Sequence, residues 1–175
     1  MKPNPSPRRD GGIAAGGGLV LERFLPYRLS VLMLRISNAI ARSYERRFNL
    51  SVPEWRVMAV LGRFGPLSAN GVAEKTQMDK VRVSRAVARL VRAGRVRQRV
   101  DRLDRRRSVL ALTPAGEAIH REIVPHARRV EARLLAGLTP AERAALDHLI
   151  GKLEARAGTP FVAEADARVL SIRAS

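Results

Sequence analysis

Residues 79–113 read DKVRVSRAVARLVRAGRVRQRVDRLDRRRSVLALT. Asp79 stands where a helix needs a cap, and a carboxylate there also suits the helix dipole. Val83, Ala86, Val87 and Leu90 then recur at three and four residues, the apolar stripe of a helix. Gly94 closes it as a C-terminal glycine. Beyond it Val96, Gln98 and Val100 alternate with Arg97 and Arg99, which is a strand period. Val109 to Leu112 supplies a second short strand, and residues 101–107 are the loop between the two. The stretch holds 12 basic and 3 acidic residues, a net charge of +9 and about half of the chain's +17. A charged helix followed directly by a charged hairpin tip is the layout of a winged helix on DNA, in which the helix meets bases and the loop grips the backbone.

Outward from this core, the pattern stays helical. Leu29, Leu32, Met33, Ile36, Ile40 and Tyr44 predict one long amphipathic helix over PYRLSVLMLRISNAIARSYERRF, residues 26–48. Ser51, Pro53 and Glu54 form the entry to a second helix, with Ser51 as cap and Glu54 reaching back. Trp55, Met58 and Leu61 share its inward face. Gly62 to Pro66 reads as a breaker cluster that ends it. Ser68 caps a short third helix whose inward residues are Val72 and Ala73. Thr113-Pro114 and Thr139-Pro140 open two final helices, the second with a capping box completed by Glu142, running to about residues 136 and 157. The expected architecture is mainly α with a small β-hairpin wing. It comprises a Pro/Gly-rich arm over 1–24, a domain over 25–157 and a tail over 158–175. The apolar faces of the first and last helices exceed what the central unit can cover, so a second copy is expected to bury them.

The chain has 175 residues, a sequence pI of about 11.7 and no cysteine. A polyanion partner follows from the charge. Disulfides and thiolate metal sites do not arise. No apolar run approaches the ~20 residues of a membrane span. Arg8-Arg9 before GGIAAGGGLVL loosely resembles a twin-arginine export signal, but the apolar part is Gly-rich and is cut off by Glu22-Arg23, so a cytoplasmic, nucleoid-associated protein is expected. His120 and His126 lie on different faces of one helix with no completing ligand, which predicts no metal site. No phosphate loop, nucleophile elbow or paired-histidine motif suggests an enzyme or a cofactor.

Helical spacing puts Arg82, Arg85, Arg89 and Arg92 on one broad face, away from the apolar stripe. In helix-turn-helix docking the N-terminal part of the recognition helix meets base edges, which selects Lys80, Val81, Arg82, Ser84 and Arg85. Arg89 and Arg92 are phosphate contacts or solvated charges. In the loop, Arg102, Arg105, Arg106 and Arg107 are the DNA candidates. Asp104 opposes binding, so its expected task is to orient an arginine. Trp55 and Tyr27 are core or helix-face packing residues first and walls of a ligand pocket second. A non-specific architectural DNA protein is the main alternative function, and an RNA-binding accessory protein a third. Only 4% of residues are aromatic, which disfavours stacking on single strands.

The phrase PEWRVMAVLGRFGPLSANGVAEKTQMDKVRVSRAVARLVRAGRVRQRVDRLDRRRSVLALTPAG closely resembles the MarR family of bacterial transcription regulators, with the resemblance running from about Pro26 to Ala157. Its specific parts are Asp79-Lys80 with Val83-Ser84-Arg85, the helix end from Leu90 to Gly94, the Asp101…Asp104-Arg105-Arg106 wing and the exit Leu112-Thr113-Pro114-Ala115-Gly116. The resemblance implies a homodimeric winged helix-turn-helix protein with N- and C-terminal dimerisation helices. It implies binding to pseudo-palindromic double-stranded operators and, usually, repression relieved by a small aromatic or phenolic effector. It also implies that Ser84 and Arg85 are the DNA-contacting pair and that Arg106 enters the minor groove. Gly71, Arg82 and Arg102 depart from the family pattern, and Gly71 predicts a weak third helix.

Overall fold

The computed structural model describes residues 18–100 and 108–157. The elements are α1 (Leu25–Ala41), α2 (Glu45–Phe48), α3 (Val52–Phe64), β1 (Leu67–Ser68), α4 (Ala69–Thr76), α5 (Lys80–Arg92), β2 (Val96–Val100), β3 (Ser108–Leu112), α6 (Pro114–Leu135) and α7 (Pro140–Ala157). The chain divides into two units, one ending at Val130 and the other beginning at Glu131.

The first unit is mainly helical with a three-stranded antiparallel sheet in the order β1-β3-β2. The β2–β3 hairpin pairs Val96 with Leu112 and Val100 with Ser108, as the alternation predicts. The third strand was not expected: Leu67 and Ser68 pair with Leu110 and Val109. Two residues carry no readable strand period, and only partners 43 and 41 positions away make them a strand. Ser68 then caps α4 by accepting a hydrogen bond from the Gly71 N–H at 3.1 Å. Gly71 thus sits inside a formed helix, at the position whose amide satisfies the cap.

The long helix expected over 26–48 is two helices. After Ala41 the backbone tightens, with Ser43 and Tyr44 donating three residues back to Ile40 and Ala41, and the Ser43 hydroxyl also bonds the Ile40 carbonyl at 2.6 Å. A hydroxyl competing for a helical carbonyl weakens the i→i−4 ladder. The turn carries Tyr44 into the core at 1% exposure. Burial, with a smaller contribution from Glu45, pushes its phenol up to about 12, so it stays neutral. Asn49, at φ 47°, ends α2 in the left-handed region that asparagine tolerates better than most residues.

The second correction concerns Gly62, which lies inside α3 rather than in a breaker. The helix runs through it to Phe64 and is capped by Gly65 at φ 75°. A Cβ at Gly62 would sit 2.4 Å from Nε2 of His120, so the glycine is there to let the α6 imidazole approach. At the head of α3, Glu54 accepts from the Ser51 N–H at 2.7 Å and its hydroxyl at 2.5 Å, the expected capping box.

The core is built from Tyr44, Leu50, Val57, Met58, Leu61, Val72, Val83, Ala86, Val87, Leu90, Val96, Leu110, Leu112 and Ile123, among others. All four predicted stripe residues of α5 are in it. At the far end of α5, Arg95 N–H bonds Leu90 O at 2.9 Å and Gly94 N–H bonds Val91 O at 2.9 Å, with Gly94 at φ 68°. This pair of bonds is a Schellman closure. Thr113 clasps the same corner. Its N–H donates to Arg95 O at 3.0 Å, its hydroxyl donates to Gly94 O at 2.7 Å, and the hydroxyl accepts from Gly116 N–H at 3.1 Å.

In the second unit Thr139 and Glu142 form the predicted reciprocal cap of α7. The Thr139 N–H reaches the carboxylate at 2.8 Å, and the Glu142 N–H reaches the hydroxyl at 3.3 Å. Those hydrogen bonds from Thr139 hold the Glu142 carboxyl below the usual range. Leu146, Leu149, Ile150 and Leu153 of α7 are exposed, as are Leu25, Leu29, Leu32, Met33 and Leu34 of α1 in the first unit. No helix among the described residues is long and apolar enough to cross a membrane.

Candidate nucleic-acid interface

The candidate surface begins with a cap. Asp79 leaves the extended chain after Met78, which is buried, and accepts the Arg82 N–H at 2.7 Å. That bond starts α5 and fixes its rotation. Because Val83, Ala86, Val87 and Leu90 face the core, Lys80, Val81, Arg82, Ser84, Arg85, Arg89 and Arg92 are left exposed on the other side.

Two grooves flank this exposed face. One, of about 610 Å³, runs between the head of α3 and α5, where Ser51 and Pro53 face Arg82, Arg85, Arg89 and Arg92. The other, of about 440 Å³, lies toward α4 and the sheet, where Asn70 and Gln98 face Lys80, Ser84 and Val91. Ser84 and Arg85 therefore open onto opposite flanks of one helix. Asp79 and Arg82 approach to 3.7 Å and are both largely exposed. None of Arg85, Arg89 and Arg92 is paired with a carboxylate among the described residues. Guanidiniums without a carboxylate partner among the described residues, set on a capped helix, can take partners from outside the chain's described part.

Arg95 belongs to the same run of arginines but has another task, since its guanidinium donates to the Phe48 carbonyl and ties the end of α5 to α2. Spacing alone gives no sign of this, because the partner is 47 residues away. Asn70 and Gln98 were also missed. Gln98 bonds Ser108 across the hairpin at 3.0 Å, which holds it beside the α5 groove. Arg102, Asp104, Arg105, Arg106 and Arg107 lie outside the described residues.

A separate cavity of about 580 Å³ lies against α1, α3 and the end of α4, lined among others by Met33, Ile36, Ile40, Tyr44, Trp55 and Lys75. Trp55 packs on the core and also lines this cavity. Its ring is 5.7 Å from that of Tyr44 and stacks on His120 at 5.6 Å and 29°. Tyr27 does not line it and is exposed on α1. Of the two residues named for a ligand pocket, Trp55 lines this cavity and Tyr27 does not.

The sequence profile of the MarR family matches residues 48–107. A MarR-family transcriptional regulator from Silicibacter pomeroyi is 30% identical, with the alignment covering 82% of this chain and 94% of that one at a TM-score of 0.69. Bordetella bronchiseptica BpsR, whose DNA binding is regulated by 6-hydroxynicotinic acid, is 27% identical over 74% of this chain and 92% of its own, at a TM-score of 0.66. A Bacillus subtilis relative, the HTH-type transcriptional regulator YwaE, is 26% identical over 106 residues, and the match spans 61% of this chain and 62% of that relative's length.

Proposed function

The chain belongs to the MarR family of DNA-binding transcriptional regulators, and on that premise we propose that it is a homodimeric repressor of pseudo-palindromic operators, released by a small organic ligand. The observation that carries this reading is the exposed α5 face, on which Arg85, Arg89 and Arg92 have no carboxylate partner among the described residues and whose position is fixed by Asp79 at one end and Gly94 at the other. Lys80, Val81, Arg82, Ser84 and Arg85 would meet base edges, and an arginine bidentate to guanine contributes about 1–3 kcal/mol of discrimination. Arg89 and Arg92 would meet phosphates. Arg102, Arg105, Arg106 and Arg107 would grip the flanking backbone and minor groove, with Asp104 orienting one of them.

The uncovered apolar faces of α1 and of α7 support a dimer, which would set two α5 helices about 34 Å apart in successive major grooves. The cavity beside Trp55 is the candidate effector site, and the ligand response of BpsR supports that choice. A ligand there that favours one helix spacing by ~1.4 kcal/mol shifts occupancy tenfold. Segment 1–24 would act as a Pro/Gly-rich arm and segment 158–175 as a tail, with the protein working in the cytoplasm on the nucleoid.

The test is selection from a random duplex library, followed by anisotropy titration of the winning duplex and a scrambled control at several salt concentrations. An inverted repeat bound at least ~10³-fold tighter than the control is expected. Equal, steeply salt-dependent binding to both would instead establish a charge-driven architectural protein.

A further inference from the structure

Between Arg82 and Arg99 stand seven arginines, and one of them turns inward. Arg95 is half-buried, whereas Arg82, Arg85, Arg89, Arg92, Arg97 and Arg99 are exposed. Each of its polar groups is bonded to a different part of the fold. Its N–H donates to the Leu90 carbonyl of α5 at 2.9 Å, its carbonyl accepts from the Thr113 N–H at 3.0 Å just ahead of α6, and its guanidinium donates to the Phe48 carbonyl of α2. That last carbonyl lies in the final turn of α2, where helix geometry leaves acceptors without an amide. A cavity of about 740 Å³ opens around the guanidinium, with Glu45, Asn49, Arg89 and Arg92 on its wall. Although Glu45 is that close, the partner of Arg95 is the fixed backbone and not the carboxylate. α2 is in turn anchored, with Phe48 packed on the core and Arg47 paired with Glu122 of α6.

We propose that Arg95 is a positioning residue for base reading: without touching DNA, it sets the angle of α5 by tying the far end of that helix to α2. This rests on the reading of α5 as the helix that meets base edges. α5 has 13 residues and forms a rod roughly 20 Å long, so its angle is set by what holds its two ends. The cap made by Asp79 acts within the helix itself. At the far end the bonds of Gly94, Thr113 and Gly116 join α5 to the first residues of β2 and the head of α6. Of the hydrogen bonds at this corner among the described residues, that of the Arg95 guanidinium alone reaches α2. Without it the corner keeps its internal closure and loses its registration against α2. A base contact tolerates about half an ångström of error. A phosphate contact made by a long charged side chain tolerates more, because the Coulomb attraction falls slowly with distance. Loss of the tie therefore falls on discrimination and spares non-specific affinity.

The measurement is fluorescence anisotropy of the full-length parent and variants on two duplexes, the winner of the random-library selection and its scramble, with melting curves to establish folding. A purely structural role lowers the active fraction and weakens both duplexes alike, and so does the loss of one charge. The ratio of the two affinities therefore carries the test. Arg95→Leu is expected to reduce that ratio about tenfold, the worth of one good base contact. Arg95→Lys keeps the charge and a donor for the Phe48 carbonyl, and should restore most of the ratio. Arg95→Gln, too short to make the tie, takes the place of Arg95→Leu if that variant does not fold. An unchanged ratio in the folded variant overturns the inference and leaves the reading of α5 intact, and a lysine variant no better than the leucine one does the same. A selection without a winner overturns both, since α5 then reads no sequence.

Discussion

Among the described residues Asp79 is the one acid lining the groove beside the α5 arginines, and replacing it should move stability and DNA affinity in opposite directions. Its carboxylate accepts the Arg82 N–H at 2.7 Å and lines the basic groove. Asp79→Ala loses the cap, which costs about 1 kcal/mol, a melting decrease of roughly 2–4 °C for a chain of this size. The same change removes a negative charge from the face proposed to meet DNA. At ~10 Å from a phosphate in water that charge opposes binding by roughly 0.4 kcal/mol, about twofold, and about fourfold for the two copies in a bound dimer. Asp79→Asn separates the effects, because asparagine caps about as well as aspartate. It should melt close to the parent and gain the same affinity. Calorimetry gives the first quantity. Anisotropy on a random-sequence duplex at ~20 mM salt, where screening is weak, gives the second. Equal melting losses in both variants would refute the capping role. Weaker DNA binding by the folded Asp79→Asn variant would refute the placement of this helix against DNA.

Other changes test other parts of the molecule. Arg85→Ala should lower affinity for the selected operator and leave random duplex nearly unchanged, whereas Arg106→Ala should weaken both; an equal loss on both duplexes for Arg85→Ala removes it from base readout. Gly116→Ala would place a Cβ 2.1 Å from the Arg95 carbonyl oxygen, an overpacking that should cost about 1–3 kcal/mol in urea denaturation, and an unshifted midpoint would contradict that close approach. His120 titrates below the usual range because it is buried, so the folded state holds its proton less tightly than the unfolded chain. The stability it contributes is complete above the unfolded value of ~6.5 and is lost as pH falls toward the folded one. His120→Phe should therefore flatten the melting temperature between roughly pH 7.5 and 5.5. Leu32→Arg on α1 or Leu149→Arg on α7 should bring sedimentation down to that of a single chain if those exposed faces meet a second copy.

What could be read in the sequence was what is decided within one turn of a residue. The caps at Ser51, Ser68, Asp79, Thr113 and Thr139 each act three positions away, and the α5 stripe repeats within a single helix. The hairpin followed from alternation alone. What could not be read depends on distant partners. Leu67-Ser68 is a strand only because β3 lies beside it. Gly62 is a glycine within the helix, not a breaker, because an imidazole 58 positions later needs the space of its side chain. Arg95 is indistinguishable by spacing from its exposed arginine neighbours until Phe48 is brought against it. For the site, the exposed face of α5 followed from its buried face, while the grooves on either side of it needed α3, α4 and the sheet to be in place.

The clasp at Thr113 has a consequence for how binding preference can change. Reading base edges requires side chains held to within about half an ångström, and the far end of α5 takes its position from Gly94, Arg95, Thr113 and Gly116, none of which belongs to the basic face formed by Arg82, Arg85, Arg89 and Arg92. Aim and grip are thus encoded in different residues. A lineage of such proteins can shift its preferred operator by altering the mount while every contacting side chain stays the same, so comparing recognition-helix sequences alone will misjudge which relatives share a target.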